Sequence, residues 1–230
     1  MIRLALFDID GTLYEYRRPV ETSVRDGLLS LEAQGVQIAL ISGRSHDYVY
    51  GFAKALGLVH AALLGENGLQ ITDPSIGLQN ALLLPCPACV RRVTRLLEDA
   101  FPDGLELQAD RASLSVRPSE AQRPEALRIL REHADLNEVD LLERPNFLSL
   151  FPKGTSKGLC AQVYCARKGI SPEEAIAAGD SDNDLSLRLA ASTMIAVGDG
   201  IDPNEPGLLR AKTPAEMMEL LLDRVSSCKK

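Results

Sequence analysis

Hydrophobic and polar positions alternate in blocks along the first seventy residues of the chain. Three short runs are dominated by apolar residues, as in strands buried on both faces of a sheet: residues 3–7, 36–41 and 61–64. Between these runs, apolar residues recur at helical spacing, and glycines at positions 35 and 57 end the two helical stretches. A β-α-β series of this kind predicts a parallel sheet with right-handed crossovers.

The middle of the chain has a different pattern. Each of two helical stretches is followed by two strand-like runs: a helix over 87–100 with strands over 105–109 and 112–117, then a helix over 124–133 with strands over 139–143 and 147–151. Two such units side by side make a small antiparallel sheet with both helices on one face. We therefore predict an inserted α+β domain over residues 73–151.

The first rhythm returns after Lys153. The predicted elements are a helix over 156–167, a strand over 174–178, a helix that opens near Asp182, a strand over 194–197 and a closing helix over 214–225. The core is therefore split in sequence into residues 1–72 and 152–230. The predicted fold class is α/β, with a Rossmann-like, three-layer parallel sheet core and an inserted α+β domain.

Composition and charge narrow the classes of partner. The chain has 230 residues, 45% of them hydrophobic and 25% charged, and a net charge of -7. Nucleic-acid and anionic membrane surfaces require a clustered basic face, so small diffusible partners are expected instead. The chain has no uncharged apolar stretch long enough for a membrane span, and its first apolar run meets Asp8 and Asp10 where a signal peptide would need a cleavage site. We predict a cytoplasmic protein, and no heptad run predicts its oligomeric state.

The cysteines support this prediction. Five cysteines, an odd number, suit reduced thiols better than a disulfide framework. Cys86 and Cys89 have the spacing of a redox pair or half of a zinc site, but no second pair completes the site. Ordinary packing at the start of a helix is the preferred interpretation of this motif.

Polar residues that can carry chemistry follow the predicted parallel strands. Asp8 and Asp10 come after the first strand, Ser42 after the second and Asp180 after a later one. In open parallel sheets ligands bind beyond the carboxyl ends of the strands, so these residues are expected at one edge. Because nearby carboxylates repel one another, either the pKa of one of them rises sharply or a cation lies near them, and a hard divalent cation with oxygen ligands, Mg²⁺, would relieve the repulsion.

Two further features suit an anionic substrate. Ser42 and Gly43 precede a helix whose free N–H groups can bind a phosphoryl oxygen. Lys157 supplies an ammonium that can neutralise charge developing during phosphoryl transfer, although a surface lysine is the simpler interpretation of this residue alone. The stretch around Lys157 lacks the spacing of a Walker-type phosphate loop.

Four motifs together resemble a known family. "DIDGTL" from Asp8, "SGR" from Ser42, "SKG" from Ser156 and "GDSDND" from Gly179 occur in the order of the four motifs of the haloacid dehalogenase-like phosphatases. The inserted segment resembles the αββαββ cap of the subgroup that includes sucrose-phosphate and phosphoglycolate phosphatases. The resemblance spans essentially the whole chain and implies an Mg²⁺-dependent phosphatase acting on a small phosphorylated metabolite.

The resemblance also implies a role for each motif residue. Asp8 is the nucleophile that forms an aspartyl phosphate, and Asp10 is the general acid and base. The Asp8 carboxylate, the Asp10 backbone carbonyl and Asp180 hold the metal. The residues expected to bind the phosphate or the substrate are Ser42, Gly43, Arg44, Lys157 and Asn183. Asn183 is alternatively the residue that orients Lys157. Thr12 is expected to support the loop, and Asp184 the metal.

Some positions depart from the pattern or carry weaker expectations. Gly198-Asp199-Gly200 stands where the subgroup often has a small residue followed by Asn-Ala, which leaves substrate contacts from this loop open. Arg44 and Asn67 are placed to face the inserted domain, although a helix-start arginine and a turn asparagine are common. In that domain the candidate substrate contacts are Arg111, Arg117, Arg144 and Asn146.

Three functions remain open from the sequence. The first is a phosphatase whose inserted domain closes over the site and selects the substrate. The second is a phosphomutase of the same lineage, which returns the phosphate to a rebound sugar before water attacks. The third is a phospho-accepting regulatory module without turnover. Such receiver domains also gather acidic residues at strand ends, but they are shorter and have no inserted domain.

Overall fold

The computed structural model of the protein describes residues 1–107 and 111–227. Within these residues the strands of the larger sheet are β1 (Leu4–Phe7), β2 (Gln37–Ile41), β3 (Ala62–Gly65), β4 (Gln70–Asp73), β5 (Leu78–Leu82), β10 (Ala175–Gly179), β11 (Thr193–Val197) and β12 (Leu209–Ala211). These eight strands lie in the order β12-β11-β10-β1-β2-β3-β4-β5. The strands from β12 to β3 in this order are parallel, whereas β4 pairs antiparallel to β3.

Helices cover both faces of this sheet: α1 (Thr22–Ala33), α2 (His46–Leu56), α5 (Lys157–Lys168) and α6 (Pro214–Ser227). Ala5 and Phe7 of β1 pack into one apolar cluster with α1, α2 and α6. The alternate residues Leu4 and Leu6 are equally buried, on the opposite face. All four residues of β1 are therefore inaccessible to solvent, as expected of a central parallel strand, and the predicted fold class is confirmed.

Local signals in the sequence fix the two helices that lead into the site. Ser45 caps α2, where its side chain accepts a hydrogen bond from the Tyr48 N–H at 3.4 Å, and Gly57 ends the helix in a left-handed conformation. Ser156 caps α5 in the same way, accepting from the Leu159 N–H at 3.1 Å. The stretch expected to form a helix from Asp182 is instead a 3₁₀ segment, Asp182–Leu189.

The second compact unit has its own sheet, with the strand order β6-β7-β9-β8 and antiparallel pairing throughout. Its elements are α3 (Ala88–Ala100), β6 (Glu106–Leu107), β7 (Leu114–Arg117), α4 (Arg123–His133), β8 (Val139–Arg144) and β9 (Phe147–Pro152). Residues 108 and 109 of the predicted strand over 105–109 lie outside the described residues. Cys89 is buried in the apolar cluster of this unit, with Cys86 packed against it.

The chain divides into Met1–Ala81 with the segment from Ser156 onward, and Leu82–Thr155. The first segment of the larger unit extends nine residues beyond the predicted residue 72, because β4 and β5 belong to the larger sheet. The other division lies after Thr155 rather than residue 151, since β9 continues to Pro152. Among the described residues no helix is both long and apolar enough to cross a membrane.

Candidate active site

Adjacent strands bring two acidic residues together across a long sequence separation. Asp8 follows β1 and Asp180 follows β10, and these parallel strands pair with Phe7 opposite Ala178. The backbone N–H of Asp8 donates to the Ala178 carbonyl at 3.0 Å, which extends the pairing to the aspartate itself. Asp8 is 4% exposed, so its carboxylate lies inside the edge of the sheet and not on a solvated loop.

Lys157 is buried between two carboxylates. Its Nζ donates to Asp8 Oδ1 and to Asp184 Oδ1, each at 2.6 Å. The other Asp8 oxygen, Oδ2, accepts from the Thr12 hydroxyl at 3.1 Å. Lys157 is 4% exposed, which excludes the simpler interpretation of a surface lysine. The structure therefore joins the first, third and fourth motifs in one buried ion-pair network.

Both oxygens of Asp184 are already occupied by protein groups. Oδ1 accepts from Lys157, and Oδ2 accepts from the Asp180 N–H at 3.1 Å, the Ser181 N–H at 3.1 Å and the Ser181 hydroxyl at 2.9 Å. Asp184 thereby holds the backbone of the loop that carries Asp180. This arrangement fits a supporting residue better than a direct metal ligand.

The carboxylates form a cluster suited to a divalent cation. Ligand oxygens of Asp8, Asp180 and Asp184 lie within 4.8 Å of one another. Space for the Asp180 carboxylate depends on Gly11, because a Cβ atom there would lie 2.2 Å from Asp180 Oδ2. Gly11 also has a φ of +85°, which favours glycine on conformational grounds. The loop after β1 is therefore shaped to admit a second carboxylate beside Asp8.

The charge balance of this cluster also favours a cation. Three close carboxylates face one ammonium group, and burial opposes the charged forms of the acids. Burial raises the pKa of Asp8 to about 7 against the opposing effect of Lys157, and burial with the Asp184 charge raises the pKa of Asp180 to about 6. Burial alone would lower the pKa of Lys157, but the charges of Asp8 and Asp184 raise it.

Asp10 has a separate set of partners. Arg44 binds both of its oxygens, with Nε donating to Oδ2 at 2.8 Å and Nη2 to Oδ1 at 2.7 Å. The Tyr14 hydroxyl donates to Oδ1 at 2.6 Å. Burial opposes ionisation, but these hydrogen bonds outweigh it and lower the pKa of Asp10. The two aspartates of the first motif therefore differ in environment, Asp8 beside a lysine and Asp10 beside an arginine.

The second motif places a hydroxyl group near the start of α2. Ser42 is 2% exposed, and its Oγ accepts from the Arg44 N–H at 3.2 Å, which leaves its proton available for donation. Asn67 lies beside this motif: its N–H donates to the Ser42 carbonyl at 2.8 Å, and a Cβ atom on Gly43 would lie 3.3 Å from Asn67 Oδ1. Asn67 has a φ of 59°.

The remaining predicted residues are less enclosed. Asn183 is exposed, and its carbonyl accepts from the Ser186 hydroxyl at 2.9 Å. In the divergent loop, a Cβ atom on Gly200 would lie 2.3 Å from the Asp180 carbonyl oxygen, so this loop packs tightly on the backbone of the acidic motif. In the second unit, Arg117 pairs with Glu106, while Arg111, Arg144 and Asn146 are exposed.

The sequence interpretation missed Tyr14 and Tyr48. Tyr48 lies on α2, its hydroxyl is 3.0 Å from that of Tyr14, and the Arg44 guanidinium lies 4.6 Å from the centre of its ring. Both tyrosines also contact the Phe52 ring. Tyr48 and Phe52 at i and i+4 resemble an ordinary apolar helix face. The one available signal was a hydroxyl-bearing aromatic residue within the loop of the first motif.

Comparison with known proteins identifies the family. Residues 5–83 and 124–204 match the haloacid dehalogenase-like hydrolases, and these segments make up more than half of the chain. The chain belongs to this family. The resemblance of the four motifs and the prediction of a hydrolase are thereby confirmed.

Individual relatives and solved structures agree with this assignment. The chain is 29% identical to a phosphoglycolate phosphatase of Methanoculleus marisnigri over 86% of this chain and 84% of the relative. It is 26% identical to a phosphoglycolate phosphatase of Metallosphaera sedula over 96% and 98% of the two chains. A haloacid dehalogenase-like hydrolase from Bacteroides thetaiotaomicron has the same fold, with a TM-score of 0.77 at 20% identity over 96% of this chain and 100% of that one.

Proposed function

We propose that the protein is an Mg²⁺-dependent phosphatase that hydrolyses a small phosphomonoester through an aspartyl phosphate on Asp8. The observation that carries the proposal is the buried carboxylate of Asp8, fixed by Lys157 and Thr12 beside a second carboxylate, Asp180. Relatives named phosphoglycolate phosphatase support a phosphomonoester substrate. A phosphoglycolate-like molecule or a sugar phosphate fits the proposal.

The metal would be held by the carboxylates of Asp8 and Asp180, together with the backbone carbonyl of Asp10. When bound, Mg²⁺ would offset the negative charge of the acids and of the transferring phosphoryl group. Asp184 would keep the Asp180 loop in place through its bonds to the backbone of residues 180 and 181. Gly11 would keep the space between the two metal-binding loops free.

The first half of the proposed reaction transfers the phosphoryl group to the enzyme. A carboxylate oxygen of Asp8 attacks phosphorus, and the bond from phosphorus to the leaving oxygen breaks. Asp10 in its protonated form gives its proton to that oxygen, so the product leaves as a neutral hydroxyl group. Lys157 and Ser42 bind the non-bridging oxygens, where negative charge develops.

The second half releases inorganic phosphate. The Asp10 carboxylate takes a proton from a water molecule whose oxygen attacks phosphorus, and the bond from phosphorus to Asp8 breaks. Asp10 ends protonated and Asp8 ends as a carboxylate, which are the states that the first half of the reaction requires. Arg44 and Asn183 are the further phosphate or substrate contacts in this proposal.

The unit within Leu82–Thr155 is proposed as the cap that selects the substrate. Its exposed Arg111, Arg144 and Asn146 are the candidate contacts for a carboxylate or hydroxyl group of the substrate.

The proposed location of the reaction is the cytoplasm, since free thiols at Cys86, Cys89, Cys160 and Cys165 suit a reducing compartment.

The test uses phosphoglycolate and 4-nitrophenyl phosphate with the purified protein. Release of phosphate is expected with Mg²⁺ and is lost with excess EDTA. Asp8→Asn should abolish it, while Asp223→Asn, which makes the same change on the exposed side of α6, should leave it intact. Full activity of Asp8→Asn refutes the aspartyl phosphate. In a separate incubation with a sugar monophosphate and its bisphosphate, formation of the isomeric monophosphate without release of phosphate identifies a mutase.

A further inference from the structure

The Asp10 carboxylate is held by two side chains of different chemistry. Arg44 contributes two N–H donors, one to each oxygen, and Tyr14 contributes one O–H donor to Oδ1. A guanidinium group donates hydrogen bonds and accepts none, whereas a phenol does both. A protonated Asp10 could therefore keep a bond from Arg44 at its carbonyl oxygen only, whereas Tyr14 can donate a hydrogen bond to an Asp10 oxygen or accept one from it.

The Tyr14 hydroxyl is itself held in place. It lies 3.0 Å from the Tyr48 hydroxyl, and either group can be the donor in that pair. The Tyr14 ring packs 5.8 Å from the Phe52 ring, and the Tyr48 ring packs 6.3 Å from it, nearly parallel. A phenol ordinarily keeps its proton at neutral pH. The pair of hydroxyls can reverse direction without moving a ring.

We propose that Tyr14 is a positioning residue that keeps the Asp10 carboxyl group aimed at the leaving-group oxygen, with Tyr48 orienting the Tyr14 hydroxyl. This inference rests on the proposed phosphatase function. When substrate binds, Arg44 exchanges its bonds to Asp10 for bonds to phosphoryl oxygens, and Tyr14 remains as the fixed partner of Asp10. A proton on Asp10 is then free to pass to the leaving oxygen, because Arg44 no longer occupies both carboxyl oxygens.

The inference predicts an effect that depends on the leaving group. Glycolate leaves as a strongly basic alkoxide and needs the proton of Asp10, while 4-nitrophenolate leaves readily without one. The parameter to compare is kcat/KM, since it covers the steps up to departure of the leaving group and excludes hydrolysis of the aspartyl phosphate. That later hydrolysis is common to both substrates.

The experiment compares Tyr14→Phe with the unaltered protein on phosphoglycolate and 4-nitrophenyl phosphate in the presence of Mg²⁺. We expect kcat/KM to fall roughly 10- to 100-fold for phosphoglycolate and about threefold or less for 4-nitrophenyl phosphate. Because both substrates are assayed on one preparation, the ratio of the two values does not depend on the fraction of folded protein. Tyr16→Phe is the matched control, since Tyr16 is 71% exposed and its ratio should not change.

Each outcome decides one of the two proposals. An equal loss on both substrates, or no loss on phosphoglycolate, overturns the role of Tyr14. An unaltered protein that hydrolyses neither this pair nor other small phosphomonoesters overturns the proposed function instead. The role of Tyr14 would also be overturned if Tyr16→Phe changed the ratio as much as Tyr14→Phe does.

Discussion

Replacing Asp73 by asparagine tests how the end of β4 is attached to α5. Asp73 is 1% exposed and accepts hydrogen bonds from the Ser75 N–H at 2.9 Å, the Ser75 hydroxyl at 2.6 Å and the Tyr164 hydroxyl at 2.8 Å. The Lys168 ammonium lies 3.1 Å from its Oδ2. The substitution keeps the shape of the side chain but removes the charge that balances Lys168.

The expected loss of stability follows from this burial. Breaking a buried ion pair by neutralising one partner costs about 3 to 5 kcal/mol. Because the Lys168 side chain is 12% exposed, we expect the lower end of that range, about 3 kcal/mol. For a chain of this size that loss corresponds to a fall in Tm of roughly 6 to 12 °C.

The pH dependence gives a second, independent measurement. Burial raises the pKa of Asp73, but the hydrogen bonds from Ser75 and Tyr164 and the charge of Lys168 outweigh it, so the folded-state pKa lies below its ordinary value. A lowered folded-state pKa contributes stability above the unfolded pKa of about 3.9, and that stability is lost as the pH falls through the folded value. The deficit of Asp73→Asn should be constant near neutral pH and shrink below about pH 4.

Urea unfolding followed by far-UV circular dichroism measures the free energy of unfolding and its dependence on pH. Asp223→Asn is the control for an exposed aspartate. A deficit below about 0.5 kcal/mol at pH 7, the level of an ordinary surface substitution, would show that the contact does not stabilise the fold. A full deficit that persists unchanged to pH 3.5 would show that the charge of Asp73 is not its source.

Three further predictions concern the site itself. Gly11→Ala should displace the Asp180 carboxylate and so raise the Mg²⁺ concentration needed for half-maximal activity at least about tenfold. Gly35→Ala is the control: Gly35 has a similar positive φ but no neighbour within 4 Å, so this Mg²⁺ concentration should not change. Lys157→Met should remove measurable phosphatase activity and lower stability by about 3 kcal/mol, because two buried carboxylates lose their cation; activity within tenfold of the unaltered protein would contradict its assigned role. Gly158→Ala should lower the Tm, since its Cβ would lie 1.7 Å from the Ser186 carbonyl oxygen, and an unchanged Tm would refute that contact.

The larger sheet was predictable where strands are buried on both faces. The apolar runs ending at Phe7 and Ile41 identify β1 and β2, because the residues of a central parallel strand are buried on both faces of the sheet; in β2 only the first residue, Gln37, is polar. By contrast, β5 (Leu78–Leu82) lies at the sheet edge and is partly exposed along its length, so neither alternation nor an apolar run marks it. Its assignment to the predicted inserted domain followed from that missing signal.

In the candidate site, too, the sequence predicts which residues follow each strand, but not the contacts that depend on tertiary packing. The sequence places Asp8, Ser42 and Asp180 after their strands, and parallel pairing then brings them to one edge. The bidentate bond from Arg44 to Asp10 depends instead on where α2 lies relative to the loop after β1. The spacing of residues within either motif does not determine the distance between the Arg44 guanidinium and the Asp10 carboxylate. For the same reason, the roles of Tyr14 and Tyr48 could not be predicted from the sequence.

The position of β1 between β2 and β10 has a consequence for synthesis of the protein. The partner on one side, β2, leaves the ribosome soon after β1, whereas β10 follows only after the whole second unit has been made. Throughout that interval the nascent chain carries an apolar strand with one unpaired edge, a segment prone to association with other chains. Lys157, Asp180 and Asp184 lie in the same late part of the chain as β10, so Asp8 gains its ammonium partner and the two other carboxylates only when the sheet closes. Pairing of β1 with β10 therefore completes the sheet on both sides of β1 and the buried ion-pair network together.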